Sequence, residues 1–289
     1  MNPQNPNPDQ DPSRRAKESR GVEVGQGFDT KVALLLSQLS ELDNLAVAFS
    51  GGVDSTVLLH AGREALGSAC VGVIADSPSL PREELEEARQ LARIMGVELV
   101  EVQTEELQDP RYVANSGDRC FFCKSALFEQ MSLWCLQRGF ANVAFGEITD
   151  DLKDDRPGAV AAANFGVLAP LREAGFSKAD VRQYATKVGL PVADKPASAC
   201  LASRVPVGTH VTRELLQTIE EAERQLHRAG YSVLRVRHHG KRALLEIGES
   251  EFARAHSERD RLRDLLAPLG FESMELGVYL PPAERPQGN

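Results

Sequence analysis

No stretch of this sequence approaches the roughly 20 consecutive apolar residues that a membrane-spanning helix needs. The opening segment, MNPQNPNPDQDPSRRAKESR, also lacks the apolar centre of a secretion signal. Together these absences predict a cytoplasmic protein with no membrane partner. Cations are in deficit: 33 Lys and Arg stand against 42 Asp and Glu, a formal net charge of −9. Nucleic-acid backbones are bound by clustered Lys and Arg, so no nucleic-acid partner is expected. A few local arginines still suffice for a small anion. No internal repeat or long low-complexity segment is present, which argues against repeat architectures. Cysteine is scarce, with five residues: Cys70, Cys120, Cys123, Cys135 and Cys200. In a reducing compartment such thiols stay free, and the spacing Cys120-x-x-Cys123 points to metal or redox chemistry.

What is present suffices for one sizeable core plus a smaller second domain: 289 residues, 42% hydrophobic and 26% charged. Residues 1–26 are rich in Pro, Asn, Asp and Gln and carry too little apolar surface to offset ordering, so a disordered tail is expected. Residues 282–289 read as a frayed end for the same reason. Between them, short apolar runs at 45–49, 70–75, 97–102 and 141–146 alternate with helical patterns at 53–66, 81–95 and 122–137 and after Ser177. This βαβ rhythm predicts an α/β fold over 27–204, an open parallel sheet with helices on both faces. Past Arg204 the rhythm becomes helix (212–229), two strands turning at Gly240, a charged helix (251–266) and a last strand, giving a small α+β domain over 205–281.

The segment Ser50-Gly51-Gly52-Val53-Asp54-Ser55 follows the first predicted strand and opens a helix. Two glycines let the backbone turn sharply against a ligand, and free N–H groups at a helix start attract phosphate. Ser50 and Ser55 add hydroxyls, and Asp54 is a candidate Mg²⁺ ligand. The bland alternative is a glycine turn with an Asp/Ser cap. The segment is not a Walker A loop, because the G-x-x-x-x-G-K lysine is missing. It resembles the SGGxDS signature of the PP-loop ATP pyrophosphatases, which implies ATP cleaved to AMP and pyrophosphate with a carbonyl or carboxylate activated as an adenylate. Ligands of open parallel sheets bind beyond the carboxyl ends of the strands. That edge would hold the loop, Asp76, and the 146–151 segment with Asp150 and Asp151 as candidates for Mg²⁺ or substrate positioning.

Two cysteine segments follow: Asp118-Arg119-Cys120-Phe121-Phe122-Cys123-Lys124 and DKPASACLASR around Cys200. Thiols at a helix start beside Arg119 and Lys124 are expected to have lowered pKa values. Cys200 sits in a Pro- and Ser-rich loop; a buried spectator is the competing reading. Cys70 and Cys135 lie in apolar patterns and read as core thiols. SGGVDS, DRCFFCK, GEITDD with the following RPG, DKPASACLASR and VRHHG together resemble the LarE family, ATP-dependent sulfur transferases of nickel-pincer cofactor synthesis, over most of the chain.

That resemblance implies a small nucleotide substrate, pyridinium-3,5-biscarboxylic acid mononucleotide, whose carboxylate is adenylated and converted to a thiocarboxylate. It implies Cys200 as the catalytic residue: in members with a single cysteine at its position, that cysteine attacks the adenylate and gives up its own sulfur. Members with cysteines matching Cys120, Cys123 and Cys200 are thought to hold a 4Fe–4S cluster carrying an extra sulfide. The sulfur here is thus implied to come either from Cys200 or from a cluster-bound sulfide. A zinc site short of a ligand, a redox pair or unconnected thiols are the alternatives. The resemblance casts Arg235 and Arg237, two apart on a strand and so on one face, as binders of the substrate phosphate. Ser203 and Arg204, beside Cys200, join them as substrate-binding candidates. A homo-oligomer is also implied. A tRNA thiolase of the same fold would need a basic surface that this charge does not supply, and a glutamine-using synthetase would leave the three cysteines unexplained.

Overall fold

The computed structural model describes residues 27–153, 157–196 and 198–280. Both expected tails, the arginine of the RPG segment and Ala197 of the DKPASACLASR segment lie outside the described residues. In chain order the first region holds α1 (Phe28–Ser40), β1 (Leu45–Ala48), α2 (Val53–Leu66), β2 (Cys70–Asp76), α3 (Arg82–Met95) and β3 (Glu98–Gln103). It continues with α4 (Pro110–Ala114), α5 (Arg119–Arg138), β4 (Val143–Phe145), α6 (Pro157–Asn164), α7 (Pro170–Glu173) and α8 (Lys178–Lys187). The second holds α9 (Arg213–Arg228), β5 (Leu234–His239), β6 (Arg242–Ile247), α10 (Glu249–Ser257), α11 (Arg259–Leu266) and β7 (Ser273–Val278).

The first sheet is parallel throughout, in the order β3-β2-β1-β4. All four residues of central β1 are buried, as expected of a strand covered on both faces. Leu35, Leu39, Val57 and Leu58 fill one layer against it, and Phe128, Met131 and Cys135 of α5 fill the other. Cys70 and Cys135 are buried within these layers, as their apolar patterns predicted. The open parallel α/β fold expected from the βαβ rhythm is therefore present.

The second sheet has the order β5-β6-β7, with β5 antiparallel to β6 through Gly240 and β7 parallel to β6. The predicted single helix over 251–266 is two, α10 and α11, broken at Glu258 where the backbone leaves helical geometry (φ −96°, ψ 16°). The break lets Ala255 of one helix and Leu262 and Leu266 of the other face the same core. A further apolar cluster joins Tyr112 of α4, Leu201, Ala202 and Val205 of the cysteine loop, and Leu216 and Ile219 of α9.

Candidate active site

Phe49 ends the climb of β1, and the chain then turns through Gly51, whose φ of +69° suits glycine. A Cβ there would sit 3.3 Å from the Ala88 Cβ of α3. Gly52 caps α2, leaving the first-turn N–H groups at the carboxyl edge of the sheet. Short bonds hold the loop shut on itself. The Ser50 N–H donates to Ser55 Oγ at 3.1 Å, and the Ser55 and Thr56 hydroxyls donate to the Gly52 carbonyl at 3.1 and 2.8 Å. The turn is thus held by bonds of its own.

Behind β4, Gly146 crosses the start of α2 so closely that a Cβ would lie 2.7 Å from the Ser55 nitrogen. The chain then makes a short helical turn over Thr149–Lys153. Asp150 accepts the Lys178 N–H at 2.7 Å, and Asp151 accepts the Ile148 N–H at 3.1 Å. Both acids therefore brace this loop. Asp54 is met by a residue that the motif reading passed over: Lys178 Nζ lies 2.9 Å from each carboxylate oxygen. The available signal was a cation in the first turn of a predicted helix, where the dipole favours acids. Asp76, at the end of β2, accepts from Arg82 and from Gln103 Nε2, the latter at 2.6 Å. The Arg82 bond leads in holding its carboxyl below the usual range.

The Cys200 loop reaches the same edge through β2. The Leu201 N–H donates to the Ser79 carbonyl at 2.8 Å, and Ser79 Oγ bonds the Tyr112 hydroxyl at 2.5 Å. Arg204 is buried and turned inward. Nε and Nη2 each lie 3.0 Å from a Glu223 oxygen, and Nη1 donates to the Ala199 carbonyl, the Cys200 carbonyl at 2.9 Å and Ser203 Oγ at 3.1 Å. Glu223 also accepts the Val236 N–H at 2.9 Å. Arg204 and Ser203, both candidates for the substrate, tie the cysteine loop to α9 and β5, and Arg204 also lines the cleft beside Arg235. Glu223 interrupts the apolar stripe of α9 (Leu216, Ile219, Ala222, Leu226), and that interruption was the sequence signal for it.

Cys120 and Cys123 stand in the first turn of α5, but the expected lowering of their pKa is reversed. Burial, then the Glu106 carboxylate and Cys200, push the Cys123 thiol up to about 12. Cys120 is raised by loss of hydration and by Cys200 although the residue is exposed; Arg119 and Lys124 oppose the rise and do not win. Desolvation outweighs two nearby cations because Arg119 donates to Asn115 and Lys124 is itself buried enough to be lowered. Electrostatics and packing thus bring Cys120, Cys123 and Cys200 into one neighbourhood, with Cys123 and Cys200 on the same apolar cluster. Among the described residues, no three His, Cys, Asp or Glu side chains converge as a set able to hold a metal ion.

A cleft of about 1120 Å³ opens between α3, the 191–201 segment, α9 and β5. Neither the phosphate loop nor Cys200 lines it, so its size alone does not make it the reacting centre. Arg235 does line it, half-buried, 5.4 Å from the Tyr279 ring and without an ion pair among the described residues. Burial and the neighbouring Arg204 hold its pKa below the ordinary arginine value. Arg237, on the same strand face, gives Nε to Glu246 at 2.6 Å and Nη1 to the Ser203 carbonyl at 3.3 Å.

A parallel sheet whose first strand runs through an SGG turn into a helix, with further loops gathered at its carboxyl edge, defines an ATP-using α/β enzyme of the PP-loop class. No known family profile matches the chain. Whole-length relatives go further. The chain is 42% identical over 220 residues to the uncharacterized protein slr1717 of Synechocystis, covering 76% of this chain and 82% of that one. It is 34% identical over 253 residues to pyridinium-3,5-bisthiocarboxylic acid mononucleotide synthase of Lactiplantibacillus plantarum, covering 86% of this chain and 92% of the synthase. Argininosuccinate synthase of Haloarcula marismortui shares 31% over 161 residues, 51% of this chain and 38% of its own. The chain belongs to the LarE family, that of the pyridinium-3,5-bisthiocarboxylic acid mononucleotide synthase.

Proposed function

We propose that this enzyme adenylates a carboxylate of pyridinium-3,5-biscarboxylic acid mononucleotide with ATP and then replaces AMP by sulfur, giving a thiocarboxylate. The observation that supports this best is the gathering of two chemistries at one sheet edge. The phosphate loop follows β1, and the Cys200 loop is bonded to Ser79 just past β2. The backbone N–H groups at the start of α2 receive the triphosphate. Asp54 offers a hard oxygen ligand for Mg²⁺, which when bound neutralises pyrophosphate. Its partner Lys178 leaves both side chains partly exposed (39% and 29%), so the carboxylate is open to exchange. Arg235 and Arg237 are assigned to the substrate phosphate, with Arg235 the more available of the two.

Cys200 is assigned as the sulfur donor. Its thiolate attacks the acyl carbon of the adenylate and AMP leaves with its bonding electron pair. The carbon–sulfur bond of the cysteine then breaks by loss of the Cα proton, leaving dehydroalanine in the chain and sulfur on the product. No step is routed through an iron–sulfur cluster.

Intact-mass measurement of anaerobically purified protein, before and after turnover with ATP, Mg²⁺ and the mononucleotide, tests the assignment. The expected result is loss of one H₂S equivalent mapped to Cys200. Thiolated product with unchanged protein mass would transfer the sulfur source to a sulfide held by Cys120, Cys123 and Cys200. No product at all would overturn the sulfur-transfer reading.

A further inference from the structure

The acidic start of α3 supports an inference that rests on the sulfur-transfer reading above. Leu85, Ala88, Leu91 and Ala92 bury one face of this helix, and Glu86 pairs with Arg89 and Arg93 in the open. Glu84 differs from these. A first-turn carboxylate suits the helix dipole, but Glu83 already supplies one. The bonds of Glu84 run instead to the cysteine loop. Its Oε1 accepts the Ser198 hydroxyl at 2.6 Å, and its Oε2 accepts Lys195 Nζ at 2.7 Å. Lys195 also reaches Glu87 at 2.8 Å. The Lys195 and Glu84 side chains are 17% and 21% exposed, so this pair is drier than the Glu86 pairs. Burial alone would raise the Glu84 carboxyl, yet the bonds from Lys195 and Ser198 hold it below its usual range.

The helix end that carries Glu84 is itself fixed at the carboxyl edge of the first sheet. Arg82 bonds Asp76 and the Ser77 and Leu80 carbonyls, the latter two at 2.6 and 2.8 Å, and its N–H donates to Glu220 of α9 at 2.6 Å. Between Asp76 and Arg82, the Ser79 carbonyl takes the Leu201 N–H. Cys200 is therefore flanked by two anchors: Ser198 is tied to α3, and Leu201 to the turn that leads into α3. Glu84, Lys195 and Ser198 line the same cleft as Arg235, and the Glu84 carboxylate acts electrostatically on that arginine.

We propose that Glu84 is a positioning residue for sulfur transfer, holding the loop so that Cys200 meets the acyl carbon of the adenylate. It touches no reacting atom and exchanges no proton. In the step it serves, the thiolate forms a carbon–sulfur bond, and AMP leaves with the electron pair of the broken carbon–oxygen bond. Formation of the adenylate at the phosphate loop does not draw on Glu84.

ATP–pyrophosphate exchange with the mononucleotide and single-turnover thiocarboxylate formation, read on the same samples of the full chain, test this. Glu84→Ala is expected to slow thiocarboxylate formation on the order of 10²-fold, the cost of about 1 Å of misplacement, with exchange within about twofold of wild type. Glu84→Gln keeps an acceptor for Ser198 but offers Lys195 no charge, and its loss should be smaller. Combining Glu84→Lys with Lys195→Glu should recover part of what Lys195→Glu loses alone. Equal loss of both reactions with a lowered melting temperature, or loss of neither, overturns the inference. Wild-type protein that exchanges pyrophosphate but forms no thiocarboxylate overturns the sulfur-transfer reading and the inference with it.

Discussion

The phosphate end and the sulfur end of this site are built in opposite ways. The loop Ser50–Ser55 is one contiguous segment whose bonds close within five residues, among polar groups that solvent still reaches. The sulfur end draws on residues from positions 79, 106, 112, 120, 123, 200, 204 and 223, and Cys123 and Cys200 lie against apolar side chains. A local turn can be prepared without ligand because its backbone satisfies itself. An assembled pocket of thiols pays for its burial with raised pKa values at Cys120 and Cys123. The nucleotide half is thus held by its own bonds, whereas Cys120 and Cys123 of the sulfur half are kept protonated by what packs around them.

Replacing the donor gives the sharpest separation of the two ends. Cys200→Ser should lower thiocarboxylate formation by roughly 10³-fold or more, as losing a nucleophile does. Release of AMP and pyrophosphate measured on the same sample should persist. Joint loss of both would break the comparison by showing that Cys200 also serves the nucleotide.

Next in size is the clamp behind the cysteine loop. Glu223→Ala leaves Arg204, 3% exposed, as an unpaired buried cation. The expected loss is about 3–5 kcal/mol by urea unfolding. Coupling should show as a double variant with Arg204→Ala that costs less than the sum of the singles. Additive losses would mean that the two residues act separately.

The smallest effect concerns reactivity. Thiolate is the reacting form, so with Cys123 held near 12 its alkylation should be slow at pH 8 and rise about tenfold per pH unit. The rate should level only near pH 12. A plateau near pH 8–9, the range of an ordinary thiol, would show that Cys123 is not desolvated. Peptide mass mapping after iodoacetamide pulses reads this directly.

Much of the first region was legible in the residues because each signal is local. The apolar run 45–49, the glycine pair and the helix that follows describe a buried strand feeding an anion-binding turn, and the structure places them so. The alternating patterns also gave the parallel sheet, whereas the single charged helix over 251–266 hid a break, since α10 and α11 share one apolar face with no Gly or Pro between them. Misreading the cysteines had a different cause. Arg119 and Lys124 beside the thiols look like activating cations, but where a charge points and how dry it is are not properties of neighbours in sequence.

By itself, then, the sequence determined the phosphate loop, the strand–helix order and the presence of three cysteines in two motifs, since propensity, turn chemistry and apolar period all act within a few residues. Tertiary structure alone decided the partnerships: Lys178 with Asp54, Asp150 with the Lys178 backbone, Arg204 with Glu223 and Leu201 with Ser79. It also decided the protonation of Cys120 and Cys123, because desolvation is summed over everything that packs around a thiol, and most of what packs there arrives from elsewhere in the chain.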